Sequence, residues 1–263
     1  MRAKTFAAVA VSAALILAAA AYDGVFNPVD FVSGLTTFGS GTGSGSGTST
    51  GSDTSSGSGT SSGSDTSSGS DSSATTSQRA AVNKAKYLLE TNSYSPSGLI
   101  ERLGYAGISA EDAAYGVENC GADWNAQALA EAKSYLESSP LSYTSLIKQL
   151  EFEGFDEGQA TYGADNCGAD WNAQAERSTA QCIEVTHCSR SRLIKILEME
   201  GFTSEQAEHC ADSCGADWME QAEKNAAQCM KYDSYSRSTL VNMLEMEGFT
   251  SEQAEHGADS QGL

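Results

Sequence analysis

The residues in this chain best suited to chemistry are its seven cysteines and three histidines. Cys120, Cys167 and Cys214 stand 47 residues apart, each opening a Cys-Gly-Ala-Asp-Trp run. Cys182 and Cys229 share a second repeat position. Cys188 and Cys210 occur once only, where other units carry Tyr94 with Gly116, Leu141 with Gly163, and Tyr235 with Gly257. In an exported protein the default state of cysteine is the disulfide, and two unusual residues that arrive together in one unit are expected to meet. The expected pairs are Cys167 with Cys182, Cys188 with Cys210, and Cys214 with Cys229, leaving Cys120 unpaired. The alternative chemistry is a zinc site made of His187-Cys188 and His209-Cys210, but adjacent ligand pairs do not have the spacing of a known zinc module. His209 also has a copy, His256, with no cysteine beside it, so both read as helix-surface residues. No metal or cofactor is expected. No Ser/His/Asp or Cys/His constellation stands outside the repeat, and the carboxylates recur with the units as a solvated face would. The chain is expected not to be an enzyme.

The elements that position these residues follow from the repeat. Leu99, Leu146, Leu193 and Leu240 keep the 47-residue period, which divides the chain into units 78–124, 125–171, 172–218 and 219–263. Each unit reads as three helices, an all-α architecture of tandem helix-turn-helix-like repeats. The first helix is rich in Ala, Leu, Lys and Glu, as in Ala81 to Glu90. The second opens at a serine cap, Ser95-Pro96 in the first unit and Ser189 or Ser236 later, with proline suited to the first helical position. Leu99, Ile100 and Leu103, or Leu193, Ile194 and Leu197, then fall on one face. Gly154, Gly201 and Gly248 are expected to stop it in the left-handed conformation, with Phe155, Phe202 and Phe249 folding back. Thr203 to Gln206 and Thr250 to Gln253 spell capping boxes for the third helix, with looser versions at Ser109 to Asp112 and Asp156 to Gln159. Gly121, Gly168 and Gly215 end that helix, and Asp123, Asp170 and Asp217 cap the next. Neighbouring units are expected to bury one another's remaining apolar faces, with Trp124, Trp171 and Trp218 as packing wedges at the junctions.

Ahead of the repeats, Arg2 and Lys4 precede an apolar run from Phe6 to Leu17 and the small residues Ala18 to Ala21. Residues 1–21 read as an export signal cleaved before Tyr22, with an uncleaved membrane anchor as the rival reading. No role is assigned to 22–38. Residues 39–77 are almost wholly Ser, Gly and Thr, and lack the apolar side chains that would offset the entropy of ordering, so they read as a disordered surface tether. The formal net charge of −20 repels nucleic acid and anionic lipid and attracts a basic partner.

Tyr235-Ser236-Arg237-Ser238, Leu240, Leu244 to Thr250, and Gln253-Ala254-Glu255, followed in register by Ala216-Asp217-Trp218 and Gln221-Ala222, resemble one repeat of the host cell surface-exposed lipoprotein family. The resemblance covers Gln78 to Leu263 in four copies. It implies short helix-turn-helix-like repeats on an exported, usually lipidated chain. It further implies a relation to phage superinfection-exclusion lipoproteins, which block DNA entry and are thought to act on the tail's tape-measure protein. This chain departs from the family in having no cysteine near its N-terminal segment, the first being Cys120. The expected function is an exported, envelope-associated protein-binding module, with a basic phage tail protein as partner and Glu198, Glu200, Glu245 and Glu247 as contact residues. The oligomeric state is left open. The alternative is a structural surface protein or adhesin. DNA binding is disfavoured because Glu198, Glu200, Glu205 and Glu208 would repel phosphate.

Overall fold

A computed structural model describes residues 74–263. The segment read as an export signal, residues 22–38 and nearly all of the Ser/Gly/Thr stretch lie outside the described residues. The described residues form twelve α-helices and no strands. They run α1 Thr76–Thr91, α2 Pro96–Tyr105, α3 Ala110–Asn119, α4 Trp124–Ser138, α5 Tyr143–Phe152, α6 Glu157–Asn166, α7 Trp171–Thr186, α8 Arg190–Met199, α9 Ser204–Ser213, α10 Trp218–Tyr232, α11 Arg237–Met246 and α12 Ser251–Ser260. The first helix starts at Thr76, inside the stretch expected to be tether. Thr75 accepts from the Gln78 amide while the Gln78 side chain accepts from Thr75, a complete capping box that draws the last Thr/Ser residues into the helix.

Every second helix is capped by its expected serine, whose Oγ accepts an amide three residues on, at Ser95, Ser142, Ser189 and Ser236. The residue before the cap, Tyr94, Leu141, Cys188 or Tyr235, joins the same core as the helix's fourth residue, Leu99, Leu146, Leu193 or Leu240. This is a hydrophobic staple, and it fixes the turn between first and second helices. Asp156 to Gln159 makes a complete capping box, whereas at Ser109 the shorter Asp112 cannot reach back and instead accepts from the Ser109 hydroxyl.

The apolar residues gather in four separate cores, one per group of three helices. Two leucines four residues apart on each second helix are fully buried: Leu99 and Leu103, Leu146 and Leu150, Leu193 and Leu197, Leu240 and Leu244. Burying each contributes about 1.5–3 kcal/mol. Helices pack extensively only within a group. Neighbouring groups therefore share little apolar surface, and meet at thin junctions made of polar contacts and one tryptophan each.

Candidate functional site

At each junction the N-terminus of one second helix meets the C-terminus of the next. Ser142 Oγ donates to the Glu200 carbonyl at 2.6 Å, Ser189 Oγ to that of Glu247 at 2.7 Å, and Ser95 Oγ to that of Glu153. Thr144 and Ser191 donate to the carbonyls of Gly201 and Gly248, both at 2.9 Å. The positive end of one helix dipole thus abuts the negative end of the next. Gly201 and Gly248 satisfy two demands there. Their φ values of +86° and +87° favour glycine, and an added Cβ would come within 2.2 Å of Thr144 or Ser191 in the preceding group.

The four glutamates proposed for partner contact divide into two kinds. Glu198 and Glu245 are exposed, held by hydroxyl bonds from Ser204 at 2.5 Å and Ser251 at 2.6 Å. Glu200 and Glu247 turn into the junctions. Ser178 donates to Glu200, whose carboxyl is pushed above its ordinary range by burial, with the Ser178 bond opposing. Glu247 lies 3.8 Å from Arg192 with both side chains largely covered. These two therefore do not form a solvated edge: Glu200 is covered beside α7 of its own group, and Glu247 beside Arg192 of the preceding one. Glu153 repeats the arrangement, accepting from the buried Tyr135 hydroxyl at 2.5 Å. Burial, followed by that bond, raises the Tyr135 phenol well above the ordinary tyrosine range.

Between the paired glutamates stands a feature that the sequence reading passed over. Tyr105, Phe152, Met199 and Met246 are the last residues of α2, α5, α8 and α11, and they are 76%, 84%, 55% and 79% exposed. Each lies two residues beyond the second buried leucine, about 200° round the helix from it, so it projects away from the core. The signal was present: Glu-Phe-Glu and Glu-Met-Glu break the apolar period that the leucines set. The result is a solvent-facing apolar side chain at this same position in every group, whereas the other exposed ones, such as Tyr87, Val185 and Tyr232, do not recur in all four. The exposed Glu198 and Glu245 precede Met199 and Met246, Glu151 precedes Phe152, and Glu101 accepts from the Tyr105 hydroxyl at 3.0 Å.

Trp124, Trp171 and Trp218 open the first helices of groups two, three and four, yet each packs back, half-buried, against the core of the group before it. Trp171 meets Tyr143 edge-on at 5.5 Å.

No two of the seven cysteines are joined in this structure. Cys167 packs with the second core and Cys182 with the third, while Cys214 packs with the third and Cys229 with the fourth. Cys182 and Cys229 each lie eleven residues along a helix from its opening tryptophan, about 16 Å up the axis, whereas a disulfide needs Cα atoms within about 7 Å. The structure does not bring these two expected pairs together. Cys188 and Cys210 share a core, but the sulfur facing Cys188 is that of Cys182, while Cys210 faces Thr179.

Cys210 also alters the helix packing. In the other groups its position is glycine, whose missing Cβ lets the third helix approach the first: a Cβ at Gly163 would lie 2.9 Å from the Ala128 carbonyl oxygen. With cysteine there, α7 and α9 meet less extensively than the matching pairs. A cleft of about 720 Å³ lies beside them, lined by Thr179, His187, His209, Cys210, Cys214 and Gln221 among others. His187 Nδ1 and Gln221 Oε1 are buried without a partner. Among the described residues no three His, Cys, Asp or Glu side chains converge as metal ligands, so the His187–Cys188 and His209–Cys210 pairs do not assemble the zinc alternative. Nor, among them, is any helix long and apolar enough to cross a membrane.

Residues 123–167, from the N-cap of α4 to the C-cap of α6, match the family described as host cell surface-exposed lipoprotein. The second group is thus similar to a repeat of that family. No curated protein and no solved structure matches the chain.

Proposed function

We propose that this chain is a cell-surface protein-binding module, acting by contact rather than catalysis, whose contact surface is the set of exposed side chains Tyr105, Phe152, Met199 and Met246. The observation that carries this reading is their recurrence. Scattered single apolar residues on a surface need no explanation, but a large one at the same place in all four groups, on helices whose leucines are otherwise fully buried, marks a surface kept apolar for a partner. The carboxylates of Glu101, Glu151, Glu198 and Glu245 lie close by, and the net charge of −20 favours a basic partner. Apolar anchors supply affinity and the surrounding charge supplies encounter rate and choice of partner.

The family match at 123–167 supports surface exposure through the family's description, and Arg2 to Ala21 supports export. Within this reading, the function is superinfection exclusion, with a basic tail protein of an incoming phage as the partner and blocked DNA entry as the outcome. The test is to express the full chain in a susceptible host and to measure adsorption and DNA entry separately. Normal adsorption with blocked entry is expected. Unchanged entry across several phages, with the chain verified at the surface, removes the exclusion role and leaves a surface-binding protein of another partner.

A further inference from the structure

We propose that Cys182 and Cys188 form a disulfide that clasps the end of α7 to the start of α8. Both side chains sit in the third core, 0% and 3% exposed, and the two thiols are hydrogen-bonded to each other. The Thr186 hydroxyl lies beside them, 3.5 Å from Cys182 Sγ and also bonded to Cys188. The contact is a property of the fold rather than of this pair. In the other groups the same two positions are Leu88 with Tyr94, Tyr135 with Leu141, and Cys229 with Tyr235, and each pair shares one core. Only in the third group are both residues cysteine, so only there can the staple become covalent.

The turn that brings them together is also peculiar to this group. α7 runs on through Thr186, and His187 then takes the left-handed conformation, φ +49°, alone among the non-glycine residues described. Its carbonyl accepts from Asn225 of the fourth group at 3.2 Å, so a bond between Cys182 and Cys188 would also fix one side of the third junction. Such a bond spans five residues and needs no movement of another helix.

Closure requires a two-electron oxidant, and a disulfide-bearing one of the exported compartment suffices. The hydrogen bond from Cys182 holds the Cys188 thiol below its ordinary range, helped by the Arg192 charge, while Cys182 is held above it. Cys188 lines a small cleft of about 110 Å³ and is the first nucleophile. Its thiolate attacks the oxidant's disulfide, forming a mixed disulfide and releasing one thiolate. Cys182 then gives up its proton and attacks Cys188 Sγ, releasing the second. Two thiols and one disulfide thus yield one disulfide and two thiols.

The test uses the full exported chain, denatured in N-ethylmaleimide without reductant and cut with trypsin. Arg177 and Arg190 bound a peptide, 178–190, that holds both cysteines and no others. This peptide is expected to be lighter than the dithiol by two hydrogens, to carry no maleimide, and to take up two after reduction. Cleavage after Glu184 should leave its halves joined. Cys229, at the same helix position but opposite Tyr235, should carry maleimide. The proposal is overturned if both cysteines are alkylated even after incubation with oxidised glutathione, or if Cys182 is found linked to Cys167, or Cys188 to Cys210.

Discussion

Glu198 and Glu200 are two residues apart, yet one faces water and the other is covered, with a single hydroxyl donor from Ser178 on α7. Oε1 of Glu200 is buried with no partner at all. Burial favours its protonated form, so the folded chain binds this proton more tightly than the unfolded chain does. Between the ordinary carboxyl range and the raised folded value the native state holds more protons than the unfolded one, so stability falls as pH rises through that window. Glu200→Gln removes the buried charge while keeping an acceptor for Ser178. It is expected to raise the urea midpoint at neutral pH and to lose that advantage in acid, below the ordinary carboxyl range. A variant less stable than the parent at neutral pH would contradict this. From the sequence alone both glutamates looked solvated, because the hydroxyl that meets one of them belongs to Ser178 on another helix, 22 residues away. The apolar residue between them was legible as a break in the leucine period, but the repeated carboxylates drew the reading to charge.

Helix boundaries were the most legible features, since caps act within three or four residues. Serine, threonine and aspartate caps, and the left-handed glycines with phenylalanine behind them, all stand where the residue types place them. What local signals could not disclose is that the same residues also build the junctions. Ser189 Oγ accepts from the Arg192 amide and donates to Glu247, fully buried, whereas Ser236 Oγ bonds only to Ser238 and Thr239 of its own helix and is exposed. Ser236→Ala should therefore cost about 1 kcal/mol for the lost cap. Ser189→Ala should cost about 1 kcal/mol more, the added share being the junction bond. Denaturant titration of both variants checks the difference, and equal losses would mean that the junction bond contributes nothing. The cysteine pairing was illegible for a related reason. Equal spacing along the sequence marked Cys167 with Cys182, but an eleven-residue helical climb keeps them apart, while Cys188 is returned to Cys182 by a turn whose geometry depends on one left-handed histidine.

For the molecule as a whole, four cores and thin polar junctions make the described residues a series of small bodies rather than one continuous core. Each body shows one exposed apolar side chain at the same place, on a chain of net charge −20. Binding spread over several such weak contacts gains from multivalency, since each contact made raises the effective concentration for the next. It should also weaken as salt shortens the screening length from about 8 Å near physiological ionic strength to about 3 Å at 1 M. The most direct test of this proposal is to measure the affinity of the full chain for a basic phage tail protein, the proposed partner, beside a variant with Tyr105, Phe152, Met199 and Met246 all changed to alanine. These side chains are solvent-facing, so helicity should be unchanged. The expected result is at least a tenfold weaker Kd, since losing even one anchor of about 1.4 kcal/mol is tenfold, with salt weakening what remains. An unchanged Kd in the folded variant would contradict the assignment of this surface as the site of contact.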